Sequence, residues 1–338
     1  MSDSVYPGVP EFFRDRYRPD HPELQSPRSI EDYEIQVGHF CRWWTAEAKP
    51  GKPTIADVNR EAINSAMAWL SSLGRSPHTV NKLMRVLKAL AGHGVEVLDL
   101  PPLKKVKPYK CPKRKPSAWT EDQLGEMLYV AGQLRGKLGP VTLSQFARAW
   151  ILTQYNTGSR VSALMAVRWE KIDLVGGLLV LKAEDTKDKE EQRIALKAET
   201  VAALAALRVA NLGGPFDVWP YDRPGRDGRR RPWKALTLLL KKIVYCALVD
   251  ADQDVNTVTA KQVQHVISRR DCTHKIRRTF ATEIAARHGI KVAQELLGHA
   301  SELTTAAYVD VSRLPSHSAR DILPTLVERP PKWKLFAG

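Results

Sequence analysis

Apolar side chains at Ile30, Tyr33, Val37, Phe40 and Trp44 recur every three to four residues, which lays them on one face of a helix over SIEDYEIQVGHFCRWWTAEA. Two further helices are predicted before residue 100. NREAINSAMAWLSSLG opens at a capping residue, Asn59, and stops at Gly74. SPHTVNKLMRVLKALAGHG has Ser76 as its cap and Pro77 at the first helical position, where a missing N–H does no harm. These segments predict a small helical unit over 28–100, preceded by an N-terminal extension, 1–27.

The pattern then breaks. PPLKKVKPYKCPKRKPS, residues 101–117, has seven Lys/Arg, no acid and repeated prolines, the composition of an extended, poorly folded linker. Periodicity resumes at Trp119, where Thr120 and Gln123 form a capping box that opens EDQLGEMLYVAGQL. The helix LSQFARAWILTQYN follows and runs into Thr157-Gly158-Ser159-Arg160. GLLVLKAEDTKDKEEQRIALK alternates like a β-hairpin with a long polar turn. Helical patterns return in ETVAALAALRV, PWKALTLLLKKIVYCALV and HKIRRTFATEIAARHG. A second domain, 118–327, is therefore expected to be mainly helical with one small sheet, and a tail, 328–338, to follow it.

Charge narrows the partner. The 338 residues carry 52 Lys+Arg against 37 Asp+Glu, a net charge of +15, which suits a polyanion such as nucleic acid. A membrane partner is not expected: no run approaches about 18 apolar residues, and ALTLLLKKIVYCALV is split by two lysines. The N-terminus lacks an apolar signal core. Cys41, Cys111, Cys246 and Cys272 lie far apart without zinc-like spacing, as reduced thiols of a cytoplasmic protein would. No phosphate-binding glycine loop or paired-carboxylate motif is present, so no cofactor, nucleotide or metal is expected.

Attack on a phosphodiester without metal needs a nucleophile, cations for the charge growing on the non-bridging oxygens, and a proton donor for the leaving oxygen. Arg160 at the TGSR turn, Lys187 in the hairpin turn, His274 and Arg277 on one helical face, His299 after a helix-ending glycine, and Tyr308 could fill these roles. Taken singly, each also reads as an ordinary surface or packed side chain.

Their order, with the words TGSRVSAL, HKIRRTFATEIAARHG and LLGHASELTTAAYV, resembles the tyrosine recombinase (phage integrase) family. In that family an arginine follows a TG-x turn, and a hairpin lysine, H-x-x-R, LGH and a tyrosine nine residues after its histidine come next. Lys189 rivals Lys187 for the lysine. Ala163 stands where the family usually has an acidic residue, which leaves open how Arg160 is held. The resemblance is strong over 120–325 and architectural over 20–100.

It implies a small helical core-binding bundle (SAM-like) before a mainly helical catalytic domain with a small β-sheet. It implies DNA cleavage and rejoining through a 3′-phosphotyrosyl bond at Tyr308 and a Holliday junction. Arg160 and Arg277 would clamp the phosphate, Lys187 would protonate the leaving 5′-oxygen, His274 would assist proton transfer, and His299 would hydrogen-bond the phosphate. The implied partners are double-stranded DNA with inverted-repeat core sites, three further copies completing a homotetramer, and an accessory directionality factor. DNA contacts are expected from Lys104, Lys105, Lys107, Lys110, Lys113, Arg114 and Lys115 in the linker, and from Arg229, Arg230 and Arg231 in the Arg-rich stretch 223–234. Trp333, Leu335 and Phe336 in the tail are expected to dock on a neighbouring subunit. The short N-terminal extension points to a simple two-domain enzyme, and the Arg-rich stretch to a phage or other mobile element. Xer-like chromosome-dimer resolution, a type IB topoisomerase and a non-catalytic DNA-binding relative are the alternatives.

Overall fold

The computed structural model describes residues 5–24, 26–47, 49–112, 115–181, 191–210, 218–219, 232–268 and 272–314; at 28 and 232–234 it describes the backbone alone. The chain divides into two compact units, residues 1–114 and 115–338.

In the first unit α1 (Val9–Phe12) runs through a wide π-helical turn, Phe13–Tyr17, into the short α2 (Arg18–Asp20). Three longer helices follow: α3 (Pro27–Ala46), α4 (Arg60–Ser72) and α5 (Pro77–Leu98). Their starts obey the sequence. Asn59 Oδ1 accepts from the Ala62 N–H at 2.9 Å, and Ser76 caps α5 with Pro77 in its first turn. Phe40 and Trp43 of α3, Ile63, Met67 and Leu70 of α4, and Val80, Leu83, Leu87 and Leu90 of α5 meet in one core. Each contributes about 1.5–3 kcal/mol relative to exposure.

Two expectations change here. Residues before α3 are not an appendage: Val9, Phe12, Phe13 and Tyr17 are buried in the same core. The segment after α5 lacks helix and strand but packs closely. Leu100 and Val106 are buried, and the Asn81 side chain accepts from the Tyr109 N–H at 2.8 Å and donates to its carbonyl at 2.8 Å. Buried valine and a two-way amide bond override the solubility of the lysines between them.

The second unit begins with α6 (Glu121–Gly132), whose capping box of Thr120 and Gln123 forms as predicted. A two-stranded ribbon, β1 (Lys137–Leu138) with β2 (Val141–Thr142), leads into α7 (Leu143–Thr157). Then come α8 (Val161–Met165) and an antiparallel sheet of β3 (Ile172–Asp173), β4 (Leu178–Leu181) and β5 (Gln192–Ala195), ordered β3-β4-β5. Leu179 pairs with Ile194 and Val180 with Arg193. This is the predicted hairpin; residues 182–190 of its turn, Lys187 and Lys189 among them, lie outside the described residues. The helices α9 (Ala198–Ala210), α10 (Pro232–Leu248), α11 (Ala260–Val266), α12 (Thr273–His288), α13 (Ile290–Leu297) and α14 (Glu302–Ala306) complete the unit.

α7 is the central post, buried through Phe146, Ala147, Trp150 and Ile151 and packed on α6, α9 and α12. A polar relay inside this core fixes α12. Trp150 Nε1 donates to Gln154 Oε1 at 3.0 Å, and Gln154 Nε2 donates to the Thr273 carbonyl at 3.0 Å. Among the described residues no helix is long and apolar enough to cross a membrane.

Candidate active site

Three pieces of chain meet around Tyr308. The first is the turn after α7. Gly158 caps that helix in the left-handed region, φ +60°, and a Cβ there would lie 2.4 Å from Phe280 Cδ1. Only glycine fits that conformation without strain. The turn is braced from within, since Thr157 Oγ1 donates to the Thr153 carbonyl and accepts from the Ser159 N–H. Arg160 follows as the residue before the first turn of α8, in extended backbone and half-buried. Asn156 ties the same turn to the sheet: its Nδ2 donates to the Ala195 carbonyl at 3.1 Å, and its Oδ1 accepts from the Lys197 N–H at 2.6 Å. The hairpin whose turn contains Lys187 is thus bolted to the chain four residues before Arg160.

The second piece is α12. His274 is exposed in its first turn, and Arg277 one turn on is 3% exposed. Arg277 Nη1 donates to the Gly158 carbonyl, and Nη2 to the Leu297 carbonyl at 3.2 Å and to His299 Nε2 at 2.9 Å. Three of its five donors therefore tie the other two pieces to α12. All three acceptors are neutral, so they anchor the fork without cancelling its charge.

The third piece runs from α13 to the tyrosine. Gly298 ends α13 with φ +61°, and the turned chain sends the His299 N–H back to the Gln294 carbonyl at 3.1 Å. Gln294 Nε2 returns a bond to the His299 carbonyl at 2.9 Å. His299 is 6% exposed, and its ring state follows from its partners. Nε2 accepts from an arginine that cannot lose its proton, so Nδ1 bears the hydrogen and donates to Thr305 Oγ1 at 2.9 Å. The Tyr308 N–H closes a turn on the Thr305 carbonyl at 2.8 Å. Thr305 thus orients the histidine and starts the turn carrying the tyrosine.

The half-buried Tyr308 ring lies 5.2 Å from the His299 ring, 6.0 Å from the His274 ring and 5.5 Å from the Arg277 guanidinium carbon. A phenol ringed by two imidazoles and a buried guanidinium matches the demands of metal-free phosphoryl transfer. The chain is similar to tyrosine recombinases.

The likeness to curated relatives runs along most of the chain. The chain is 27% identical over 303 residues to tyrosine recombinase XerD of Mycobacterium tuberculosis, covering 87% of this chain and 84% of that one. It is 26% identical over 296 residues to tyrosine recombinase XerA of Thermococcus kodakarensis, covering 86% and 87%. No family model matches the chain. Among solved structures, the Tn1549 transposon integrase in complex with transposon right end DNA superposes with a TM-score of 0.63 at 15% identity, covering 93% of this chain and 97% of that one. The XerH site-specific recombinase bound to palindromic difH substrate gives 0.60 at 16% identity, covering 83% and 75%. These two likenesses establish the fold: mainly helical with a small sheet.

The structure brings Arg277, His299, Tyr308 and His274 together, and Arg160 lies two residues beyond the carbonyl that Arg277 grips. Ala163, where the family usually has an acid, is in the first turn of α8 and buried at 5% exposure. Lys104, Lys105, Lys107, Lys110 and Lys115 are exposed. Lys113, Arg114, Arg229, Arg230, Arg231 and the tail fall outside the described residues. Sequence reading missed Gly158, Gln294 and Thr305 as parts of the site. The TT pair before the tyrosine was the available signal for Thr305.

Proposed function

We propose that the recombinase cuts and rejoins double-stranded DNA at specific sites, with Tyr308 forming a 3′-phosphotyrosyl bond and freeing a 5′-hydroxyl. The covalent link conserves the phosphodiester energy, so a 5′-hydroxyl from a second duplex can reverse the step and leave a Holliday junction. Arg160 and Arg277 take the non-bridging oxygens, Lys187 protonates the leaving 5′-oxygen, and His274 takes up the phenol proton. His299 holds the Arg277 fork and reaches the phosphate only by giving up a bond to Arg277 or Thr305. The carrying observation is the phenol set between His274, His299 and Arg277.

The exposed linker lysines suit a duplex partner; the full proposal adds inverted-repeat core sites, four copies on paired sites and a tail docking between neighbours. A directionality factor would bias the outcome. We place the activity in a phage or other mobile element. The Xer names of the curated relatives favour the second reading, resolution of chromosome dimers.

Covalent trapping tests the chemistry. Protein incubated with host genomic DNA without added metal, then denatured, should carry fragments converging on one or two short inverted repeats. Tyr308→Phe should yield none. Sites at the ends of an inserted element support the first role, and a single chromosomal site the second. Adducts at random positions, or from the phenylalanine variant, would overturn the proposal.

A further inference from the structure

The nucleophile and its arginines sit on different pieces of chain, so something must set Tyr308 against α12. Two residues past Tyr308, Asp310 sends its N–H to Thr282 Oγ1 at 2.9 Å, and its Oδ2 accepts from the Ala118 N–H at 3.1 Å. Oδ1 accepts from Ser312 Oγ at 2.6 Å, which folds the following turn around the carboxylate. Arg313 then donates to the Trp119 carbonyl at 2.6 Å and pairs with Glu283. The chain leading into α6 and the chain leaving the tyrosine therefore lie side by side, although 192 residues separate Ala118 from Asp310.

Both rest on one face of α12. Lys275 Nζ stands 3.4 Å from the centre of the Trp119 ring, and the Trp119 N–H donates to Thr279 Oγ1 at 2.8 Å. With Glu283 these residues stand at positions i, i+4 and i+8 of the helix. Residues 115–119 are also where the basic linker arrives in the second unit. Ala118 and Trp119 of that lead-in segment thus bond directly to Asp310 and Arg313, two and five residues beyond the phenol.

We infer that Asp310 and Arg313 are positioning residues for Tyr308, seating the nucleophile on the lead-in segment so that the end of the linker sets its reach toward the scissile phosphate. The inference rests on reading Tyr308 as the nucleophile. In the step concerned, a bond forms between Tyr308 Oη and phosphorus while the phosphorus–O5′ bond breaks. The phenol proton passes to a base, and the 5′-oxygen leaves with the bonding pair and is protonated.

The test uses the full chain and a duplex containing the site recovered by covalent trapping, in an ordinary version and in one with sulfur replacing the bridging 5′-oxygen. A thiolate leaves without a proton donor, so the sulfur duplex reports nucleophile placement with leaving-group protonation removed. Asp310→Ala should bind the duplex normally and slow adduct formation roughly 10–100-fold, the scale of an ångström-sized misplacement. The same loss should appear on both duplexes. Asp310→Asn retains an acceptor for the Ala118 N–H and should recover most of the rate. Ala118→Pro removes the donor from the other side, and its combination with Asp310→Ala should be no slower than the slower single variant.

Should Asp310→Ala fail to fold, Ala118→Pro and Asp310→Asn carry the test. Wild-type rates in both Asp310→Ala and Ala118→Pro, full recovery on the sulfur duplex, or losses that multiply in the double variant would overturn the inference. A wild-type protein that forms no adduct would instead refute the assignment of Tyr308.

Discussion

Replacing Gly158 with alanine tests the turn on which the site depends. Two effects add. An L-residue held at φ +60° loses about 1–2 kcal/mol relative to a right-handed conformation. The added methyl would also lie 2.4 Å from Phe280 Cδ1 and 2.8 Å from Cε1 and Cγ, on a ring that is itself buried. Overpacking of that kind typically destabilises by about 1–3 kcal/mol. Together they predict a loss of about 2–5 kcal/mol. A domain of ordinary stability, about 5–15 kcal/mol, remains folded after a loss near the lower end.

Chemistry should suffer beyond stability, because the displaced residue offers the carbonyl that holds Arg277. If the fork no longer reaches the transition state, cleavage should slow by roughly 10²–10³-fold. The assay is denaturant unfolding followed by tryptophan fluorescence, with adduct formation measured where the variant is folded. The transition of residues 115–338 should shift and that of residues 1–114 should not. In a Phe280→Ala background the steric part vanishes, leaving about 1–2 kcal/mol for the same substitution. A Gly158→Ala protein within about 0.5 kcal/mol of wild type, the range of an innocuous surface change, would refute the reasoning.

Thr305→Val keeps the shape but removes the acceptor for His299 Nδ1; adduct formation should fall roughly tenfold, about the 1.4 kcal/mol of one missing hydrogen bond, and Thr305→Ser should restore it. Changing Lys104, Lys105, Lys107 and Lys110 to glutamine should flatten the salt dependence of DNA binding by about 0.9 for each phosphate no longer neutralised. Burial alone would raise the Asp310 pKa, but hydrogen bonds from Ser312 and Ala118, with Arg313 nearby, outweigh it and hold the carboxyl below its ordinary 3.8. A depressed carboxyl stabilises the fold fully above its unfolded value, and the contribution is lost as pH falls through the folded one. The stability gap between wild type and Asp310→Asn in acid unfolding should therefore shrink as pH drops below about 3.8.

Much of this was legible in the sequence because it is local. Asn59, Ser76 and the Thr120–Gln123 box announce their helices, and the wide spacing of Leu83, Leu87 and Leu90 announces the face of α5. The spacing of Val9, Phe12, Phe13 and Tyr17 also fits a helix, but the segment is short and Pro19 obscures it. The ribbon β1–β2 has two residues to a strand, too few to show alternation. What stayed hidden is long-range. Nothing near Ala118 reveals that its N–H will meet Asp310, or near Gly158 that Phe280 closes the space above it. The linker charge dominated its local pattern, so the burial of Val106 went unseen.

Long-range bonds to uncharged groups hold the second arginine, Arg277. A carboxylate would orient a guanidinium by charge and would also neutralise part of the field meant for phosphate. Arg277 is oriented instead by two carbonyls and a neutral imidazole nitrogen; separately, position 163, three residues after Arg160, is a buried alanine. Geometry is supplied by Gly158, Gln294 and Thr305, all uncharged. The carboxylates near the tyrosine, Asp310 and Glu283, are engaged with the lead-in segment and with Arg313. Orientation and backbone anchoring thus fall to different residues: uncharged groups hold the Arg277 fork, while Asp310 and Glu283 tie the chain after Tyr308 to the lead-in segment and to α12.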